Sequence, residues 1–150
     1  VSSAALDNIS MLLADPGCRL LSLVGPEGSG KTHLALAAAH LQVGMFADGV
    51  FFVPLEAQTG PTSLAEAISS ALELDLKQAQ DPYLKILEYL YDREMLLVID
   101  GCEEALAAQA GVCMDFLAAV LQQAAQVKLV VTSQVALNLR SECVLEVDET

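Results

Sequence analysis

Residues 25–32 of the chain form the stretch GPEGSGKT. It matches the spacing G-x-x-x-x-G-K-S/T at every fixed position. The apolar run RLLSLV, residues 19–24, comes before it, and a helical pattern that begins at Lys31 follows it. In this order, strand, glycine loop and helix N-terminus surround phosphate groups with backbone amides. The stretch therefore predicts a phosphate-binding loop, against the alternative of a glycine-rich turn with an incidental Lys-Thr pair.

Strand-like and helix-like segments alternate along the rest of the chain. Short apolar runs predict strands at 19–24, 50–55, 95–99, 127–131 and 143–147. Helical spacing predicts helices at 4–13, 31–43, 63–72 and 82–91, and another through 113–121. Strands that alternate with helices favour a parallel sheet covered on both faces. The predicted fold class is therefore α/β, a three-layer α/β/α sandwich of the P-loop NTPase type with a mostly parallel five-stranded sheet.

Two of the predicted helices have an apolar stripe that is expected to face the core. The stripe is formed by Leu34, Ala38 and Leu41 in one helix, and by Leu84, Leu87 and Tyr91 in the other. Asp81 and Pro82 predict the N-cap and first turn of the second of these helices. Pro54 is expected to lie at the edge or end of its strand, because proline cannot donate to the sheet.

Composition limits the class of protein. The chain has 150 residues, 54% of them hydrophobic but only 5% aromatic, which predicts one domain with an aliphatic core. The formal charge of −13 disfavours direct contact with nucleic acid or membrane, although it also serves simply to keep an apolar chain in solution. No long apolar span or secretory signal is found, so a cytoplasmic location is expected. The cysteines lack metal-binding spacing and are expected to be reduced thiols, most of them in the core: Cys18, Cys102, Cys113 and Cys143.

The residues expected to bind a nucleotide lie in and after the glycine loop. They are Gly25, Pro26, Glu27, Gly28, Ser29, Gly30, Lys31, Thr32 and His33. Lys31 would reach the β and γ oxygens and Thr32 would hold Mg²⁺, whereas His33 receives no specific chemical role. Asp100 ends an apolar strand and is the second expected magnesium ligand, with a helix cap as the alternative.

Hydrolysis needs a group that orients the attacking water. The residue directly after Asp100 is Gly101, so the nearest acids are Glu103 and Glu104. Both acids would also suit the first turn of a helix, where they would stabilise its dipole. The predicted catalytic residues are Lys31 and Glu103.

Four blocks, in this order, resemble the nucleotide-binding core of the STAND signal-transduction ATPases, and most of all its bacterial NB-ARC-like branch: GPEGSGKTHLALAAAHL, DGVFFVPL, LLVIDGCEEAL and KLVVTSQVALNL. The resemblance covers residues 6 to 147. It implies a switch in which ADP holds a resting form, ATP exchange opens the protein to self-association, and hydrolysis resets it. It also implies a core excised from a longer polypeptide, whose other domains are its partners.

The resemblance assigns nucleotide contacts to Thr132 and Gln134. Family members carry an arginine at the position of Gln134, where it contacts the γ-phosphate; glutamine brings no charge. They also carry Asn or Asp where this chain has Gly101, but Glu103 matches the family's acid two positions later.

Three functions follow from these residues. The first is an ATP- and ADP-binding switch that hydrolyses ATP slowly with Mg²⁺, adenine being favoured because no guanine-reading N-K-x-D motif is present. The second, motivated by Gly101 and Gln134, is a nucleotide-gated scaffold without hydrolysis. The third is a small-molecule kinase, which is disfavoured because only seven Lys and Arg residues are available to clamp a second substrate.

Overall fold

The computed structural model of the chain describes residues 3–26, 28–55, 63–78, 80–140 and 142–147, and at 3, 63 and 103–110 the backbone alone. The elements are α1 (Ser3–Ala14), β1 (Leu20–Val24), α2 (Lys31–Gln42), β2 (Val50–Pro54), α3 (Ser63–Leu72), α4 (Pro82–Leu90), β3 (Met95–Asp100), α5 (Cys102–Gln123), β4 (Val127–Ser133) and β5 (Glu142–Glu146). The predicted alternation of strands and helices is confirmed, with most element ends shifted by a few residues; α5 begins eleven residues before the stretch 113–121 predicted for it.

The five strands form one sheet in the order β2-β3-β4-β1-β5, and every strand pair is parallel. Leu20 of β1 aligns with Leu129 of β4 on one side and with Glu142 of β5 on the other. Strand β4 therefore separates β1, which leads into the glycine loop, from β3, which ends in Asp100. Because the strands are parallel, their carboxyl ends meet at one edge of the sheet. Pro54 ends the edge strand β2, as expected.

Side chains alternate between two apolar layers along the central strands. In β3, Leu96 and Val98 join the layer that includes α1 and α2, whereas Leu97 and Ile99 join the layer that includes α3, α4 and α5. All six residues of β3 are buried, as is usual for a parallel strand covered on both faces. The three-layer α/β/α fold of P-loop NTPases, predicted from the sequence, is confirmed.

At the end of the sheet opposite the glycine loop, two basic side chains donate hydrogen bonds to backbone carbonyls. The Arg19 guanidinium donates to the carbonyls of Leu121, Ala124 and Val127 at 2.6 to 3.2 Å, and so caps the end of α5. Burial lowers the pKa of Arg19. Lys128 Nζ donates to the Asp15 carbonyl at 2.9 Å, just beyond α1. Both cations therefore stabilise helix ends.

Three core predictions are wrong. Leu41, Leu84 and Tyr91 are 55%, 51% and 67% exposed. The buried stripe of α2 instead runs through Lys31, Leu34, Ala35, Ala38, Ala39 and Gln42. That of α4 runs through Ile86, Leu87 and Leu90. At ~100° per residue, Leu41 lies ~20° beyond Leu34 at the edge of its stripe. Tyr91 and Leu84 lie ~40° and ~60° beyond Leu87.

The predicted N-cap of α4 is confirmed. Asp81 caps α4 through its side chain, which accepts from the Leu84 amide at 3.2 Å. The four cysteines are free thiols, of which Cys143 is partly exposed and the others are buried. Among the helices in the described part of the chain, none combines the length and apolar character needed to cross a membrane.

Candidate functional site

The glycine loop, the end of β3 and the end of β4 meet at the carboxyl edge of the sheet. The Gly25 amide donates to the Ser133 carbonyl at 3.1 Å, which fastens the start of the loop to β4. On the other side of β1, the Val147 amide donates to the Val24 carbonyl at 2.7 Å. The loop therefore begins from a backbone held on both sides.

Glycine geometry shapes the loop. Gly28 and Gly30 have φ angles of +83° and +88°, a region that side-chain-bearing residues seldom adopt. Gly30 is the N-cap residue of α2, and no side chain caps this helix end. The first-turn amides of α2 are thus the kind of donors that bind a phosphate group.

Gly25 is required for a different reason. A Cβ placed on it would lie 2.5 Å from the Val147 carbonyl oxygen and 2.9 Å from Ser29 Oγ. Both distances are too short for real contacts, and the first partner is backbone that cannot rotate away. Any side chain at this position would therefore push the loop away from the end of β5.

Lys31 is folded into the loop. Its Nζ donates to the Gly25 carbonyl at 2.6 Å and to the Pro26 carbonyl at 3.3 Å, and the residue is only 8% exposed. The loop carbonyls therefore hold the ammonium group beside the amides at the start of α2. A phosphate entering the loop would meet this charge and the helix N-terminus together.

Thr32 and Asp100 form the oxygen pair expected for a metal. Thr32 Oγ1 lies 3.0 Å from both carboxylate oxygens of Asp100, which is 5% exposed. A hydroxyl and a carboxylate suit Mg²⁺, which binds few protein oxygens and takes its other ligands from phosphate and water. Within the described residues no cluster of three or more acidic, His or Cys side chains forms a complete metal cage. The donor set therefore fits a metal bound together with a phosphate ligand.

Thr132 connects the site to β4. Its buried hydroxyl donates to Asp100 Oδ1 at 2.7 Å and accepts from the Gly101 amide at 2.8 Å. The N-cap residue of α5 is Gly101, with a φ of +86° and no side-chain cap, so the helix-cap alternative for Asp100 does not apply. Direct contact of Thr132 with a nucleotide stays a prediction.

Four other predicted site residues are described by the structure to different extents. His33 and Gln134 are exposed, His33 on α2 and Gln134 directly after β4, and their contacts with a nucleotide stay predictions. Glu103 lies in the first turn of α5, but its side chain and all of Glu27 are outside the described residues. The roles of these residues stay predictions.

Sequence reasoning missed two backbone groups of the site, the Ser133 carbonyl and the Gly101 amide. Their partners are Gly25 and Thr132, contributed by other segments of the chain. Thr132 and Ser133, which follow the predicted strand 127–131, indicate a polar strand end. The order of the strands in the sheet, which makes β4 the neighbour of both β1 and β3, does not follow from that pattern.

The fold and the site together define a P-loop NTPase domain. The family model described as AAA domain matches residues 14–139. The chain therefore belongs to the AAA domain family.

The chain is also similar in sequence to two mycobacterial proteins. The chain is 28% identical over 139 residues to an uncharacterized protein of Mycobacterium tuberculosis, covering 93% of this chain and 34% of that protein. It is 32% identical over 101 residues to a putative HTH-type transcriptional regulator of the same organism, covering 67% of this chain and 11% of the regulator. The chain thus spans about a third of the first relative's length and about a tenth of the second's.

Solved structures share the fold. The structure of Cdc6p from Pyrobaculum aerophilum superimposes with a TM-score of 0.72 at 15% identity, covering 96% of this chain and 44% of that one. A chain of Drosophila ORC bound to DNA gives a TM-score of 0.67 at 19% identity, covering 96% of this chain and 42% of that one. At these identities the likeness shows the fold alone.

Proposed function

We propose that this chain is the nucleotide-binding switch domain of a STAND-type signal-transduction ATPase, which binds ATP and ADP with Mg²⁺ and hydrolyses ATP slowly. The observation that carries the proposal is the buried Lys31 beside the uncapped start of α2, next to the Thr32–Asp100 oxygen pair. Membership of the AAA domain family supports nucleotide binding independently.

Each residue has a defined task in this proposal. Lys31 Nζ exchanges the Gly25 and Pro26 carbonyls for phosphate oxygens, and the amides at the start of α2 donate to the same phosphates. Thr32 and Asp100 hold Mg²⁺, which when bound neutralises charge on the phosphates. Thr132 keeps the Asp100 carboxylate oriented through its 2.7 Å hydrogen bond. Glu103 orients the attacking water.

The switch role rests on the resemblance of four sequence blocks to STAND ATPases and on the regulator among the relatives. Because this chain corresponds to 11% of that regulator, its signal and output would belong to other domains of the same polypeptide. Self-association in the ATP-bound form and a role in transcription regulation are part of this proposal. With a net charge of −13, this segment itself makes no direct contact with nucleic acid or membrane.

A second candidate is a scaffold that binds nucleotide but does not hydrolyse it. Gly101 follows Asp100 directly and turns the backbone into α5 at a φ of +86°, so no carboxylate stands at that position. Gln134 supplies no positive charge for the γ-phosphate. This arrangement favours a site that holds ATP for a long time.

The kinase alternative is disfavoured further by where the cations lie. Arg19 and Lys128 cap helices at the far end of the sheet, and Arg93 lies 3.8 Å from Asp48. These three cations are thus placed away from the phosphate loop. Phosphate transfer to any of a panel of nucleosides and small metabolites would revive this alternative.

Single-turnover hydrolysis of radiolabelled ATP separates the two main candidates. The switch predicts slow phosphate release that is abolished in Lys31→Ala and reduced at least ~10-fold in Glu103→Gln, since general base catalysis contributes ~10²–10⁴-fold. Glu104→Gln is the matched control and should retain turnover. Nucleotide binding without phosphate release from the wild type would favour the scaffold. Turnover that survives in Lys31→Ala would contradict both candidates, because both place the nucleotide phosphates at Lys31.

A further inference from the structure

A groove of about 340 Å³ lies between α4 and α5. Four residues of α5 line it at the spacing of a single helix face: Val112, Asp115, Phe116 and Ala119. The opposite wall consists of Asp81, Tyr83, Leu84 and Leu87. The rings of Tyr83 and Phe116 lie 5.0 Å apart; Phe116 is buried and Tyr83 is partly buried. The groove therefore has a packed apolar base.

The rim of this groove exposes apolar side chains. Leu84 is 51% exposed and Val112 is 43% exposed, whereas Leu87 and Phe116 below them are buried. None of these residues belongs to the nucleotide site proposed above. A packed floor with apolar rim residues open to solvent is a feature of surfaces that bind another protein.

The charged residues that line the groove are both acidic. Asp81 stands at the start of α4, where one of its carboxylate oxygens accepts from the Leu84 amide at 3.2 Å, and Asp115 is exposed on α5. An occupant with positive charge beside its apolar residues complements this rim. A second copy of this chain carries a net charge of −13 and would be repelled.

We propose that the α4–α5 groove binds one amphipathic helix of a separate, basic partner protein. Apolar residues of that helix, three or four positions apart, would cover Leu84, Val112 and Phe116, with Lys or Arg facing Asp81 and Asp115. The eight residues from Val112 to Ala119 span ~10 Å, which matches about two turns of a helix lying along the groove. Because α5 begins at Cys102, the partner would contact the helix that starts beside Asp100.

The test uses two fluorescent synthetic helices of about 14 residues, stapled because free helices of this length are marginal in water. Both peptides carry the same leucine stripe, flanked by lysine in one and by glutamate in the other. Fluorescence anisotropy with the whole chain should show binding of the lysine peptide, and affinity for the glutamate peptide at least ~10-fold weaker. The double variant Leu84→Ser/Val112→Ser should weaken binding of the lysine peptide about tenfold, because half-exposed apolar surface is lost without disturbing the core.

Two controls separate the groove from general attraction to an acidic chain. Asp81→Asn/Asp115→Asn keeps the helix cap but removes both rim charges, and should weaken binding about fivefold. Asp7→Asn/Asp92→Asn changes the net charge equally at exposed positions outside the groove, and should leave affinity unchanged. Leu41→Ser, at an exposed position of α2, should also leave it unchanged.

Several results would overturn the proposal. These are no binding to the wild type, equal binding of the two peptides, full affinity in Leu84→Ser/Val112→Ser, or equal losses in the two charge variants. Sedimentation showing a dimer that Val112→Ser dissociates would assign the groove to a second copy instead.

Discussion

Thr132 Oγ1 donates to Asp100 Oδ1 at 2.7 Å and at the same time accepts from the Gly101 amide at 2.8 Å. One buried hydroxyl on β4 thus holds both the candidate metal ligand at the end of β3 and the first backbone amide before α5. The same carboxylate lies 3.0 Å from Thr32 Oγ1. Three segments distant in sequence are connected through a single aspartate.

Removing the Thr132 hydroxyl should destabilise the fold. Thr132→Val keeps the branched shape but leaves the buried Gly101 amide without its acceptor and removes one of the two hydroxyl donors to Asp100, since Thr32 still donates to it. The free energy of unfolding should therefore fall by about 1–3 kcal/mol. Urea unfolding measures this change. Thr132→Ser, which retains the hydroxyl, is the control and should lose clearly less. Equal losses in both variants would mean that packing of the methyl group, rather than the hydrogen bonds, is what matters.

Gly25→Ala should damage both stability and nucleotide binding. Its Cβ would approach the Val147 carbonyl oxygen to 2.5 Å, so the loop or the end of β5 must move. We expect a loss of about 1–3 kcal/mol, the usual range for overpacking, together with weakened ATP binding. Gly111→Ala in α5 is the matched control, because nothing lies within 4 Å of its Cβ. That variant should gain up to about 1 kcal/mol in thermal or urea unfolding. A fully stable, ATP-binding Gly25→Ala protein would contradict the described contact.

The conformation of Gly101 should tolerate asparagine better than alanine. Its φ of +86° favours glycine, and asparagine visits this region more readily than most residues. Gly101→Ala should lower the free energy of unfolding by about 1 kcal/mol, and Gly101→Asn by less. Denaturant titration of the two variants checks the order. The reverse order would argue against the left-handed start of α5.

Stability should decline above pH 9 because of Cys18. Burial, with smaller contributions from Cys143, raises the pKa of Cys18 from 9.0 to about 12. Between these values the unfolded chain releases a proton that the folded chain retains, so the free energy of unfolding falls as pH rises. Cys18→Ala should make this decline less steep in urea unfolding at pH 8 to 11. The decline should not vanish, because burial also raises the pKa of Cys113 and Tyr83. An unchanged slope in Cys18→Ala would contradict the prediction.

Much of the fold could be predicted because local patterns and backbone rules agree. The glycine loop between a buried strand and a helix, the apolar run of β3 before Asp100 and the Asp81 cap each follow from a few adjacent residues. The exposed Leu41 and Leu84 could not be predicted, because the side of a helix that meets the sheet depends on packing. Small residues such as Ala35 and Ala39 allow α2 to rotate toward the sheet.

The sequence predicts which residues form the candidate site but not the hydrogen bonds that connect them. Lys31, Thr32 and Asp100 follow from the motif and from the ends of strands. The bond from Gly25 to Ser133 and the role of Thr132 depend on β4 lying between β1 and β3, an order that no local pattern specifies. The position of Glu103 relative to a γ-phosphate depends on side-chain geometry in the first turn of α5, which spacing alone does not give.

The proposed switch function depends on binding of nucleotide phosphates by the loop around Lys31. Isothermal titration calorimetry of ATP and of ADP, each with Mg²⁺, against the wild type and Lys31→Ala tests this binding most directly. Circular dichroism of Lys31→Ala should first show an intact fold. We expect the wild type to bind both ATP and ADP, and Lys31→Ala to bind neither. Equal affinity in Lys31→Ala, or no binding by the folded wild type, would contradict this expectation.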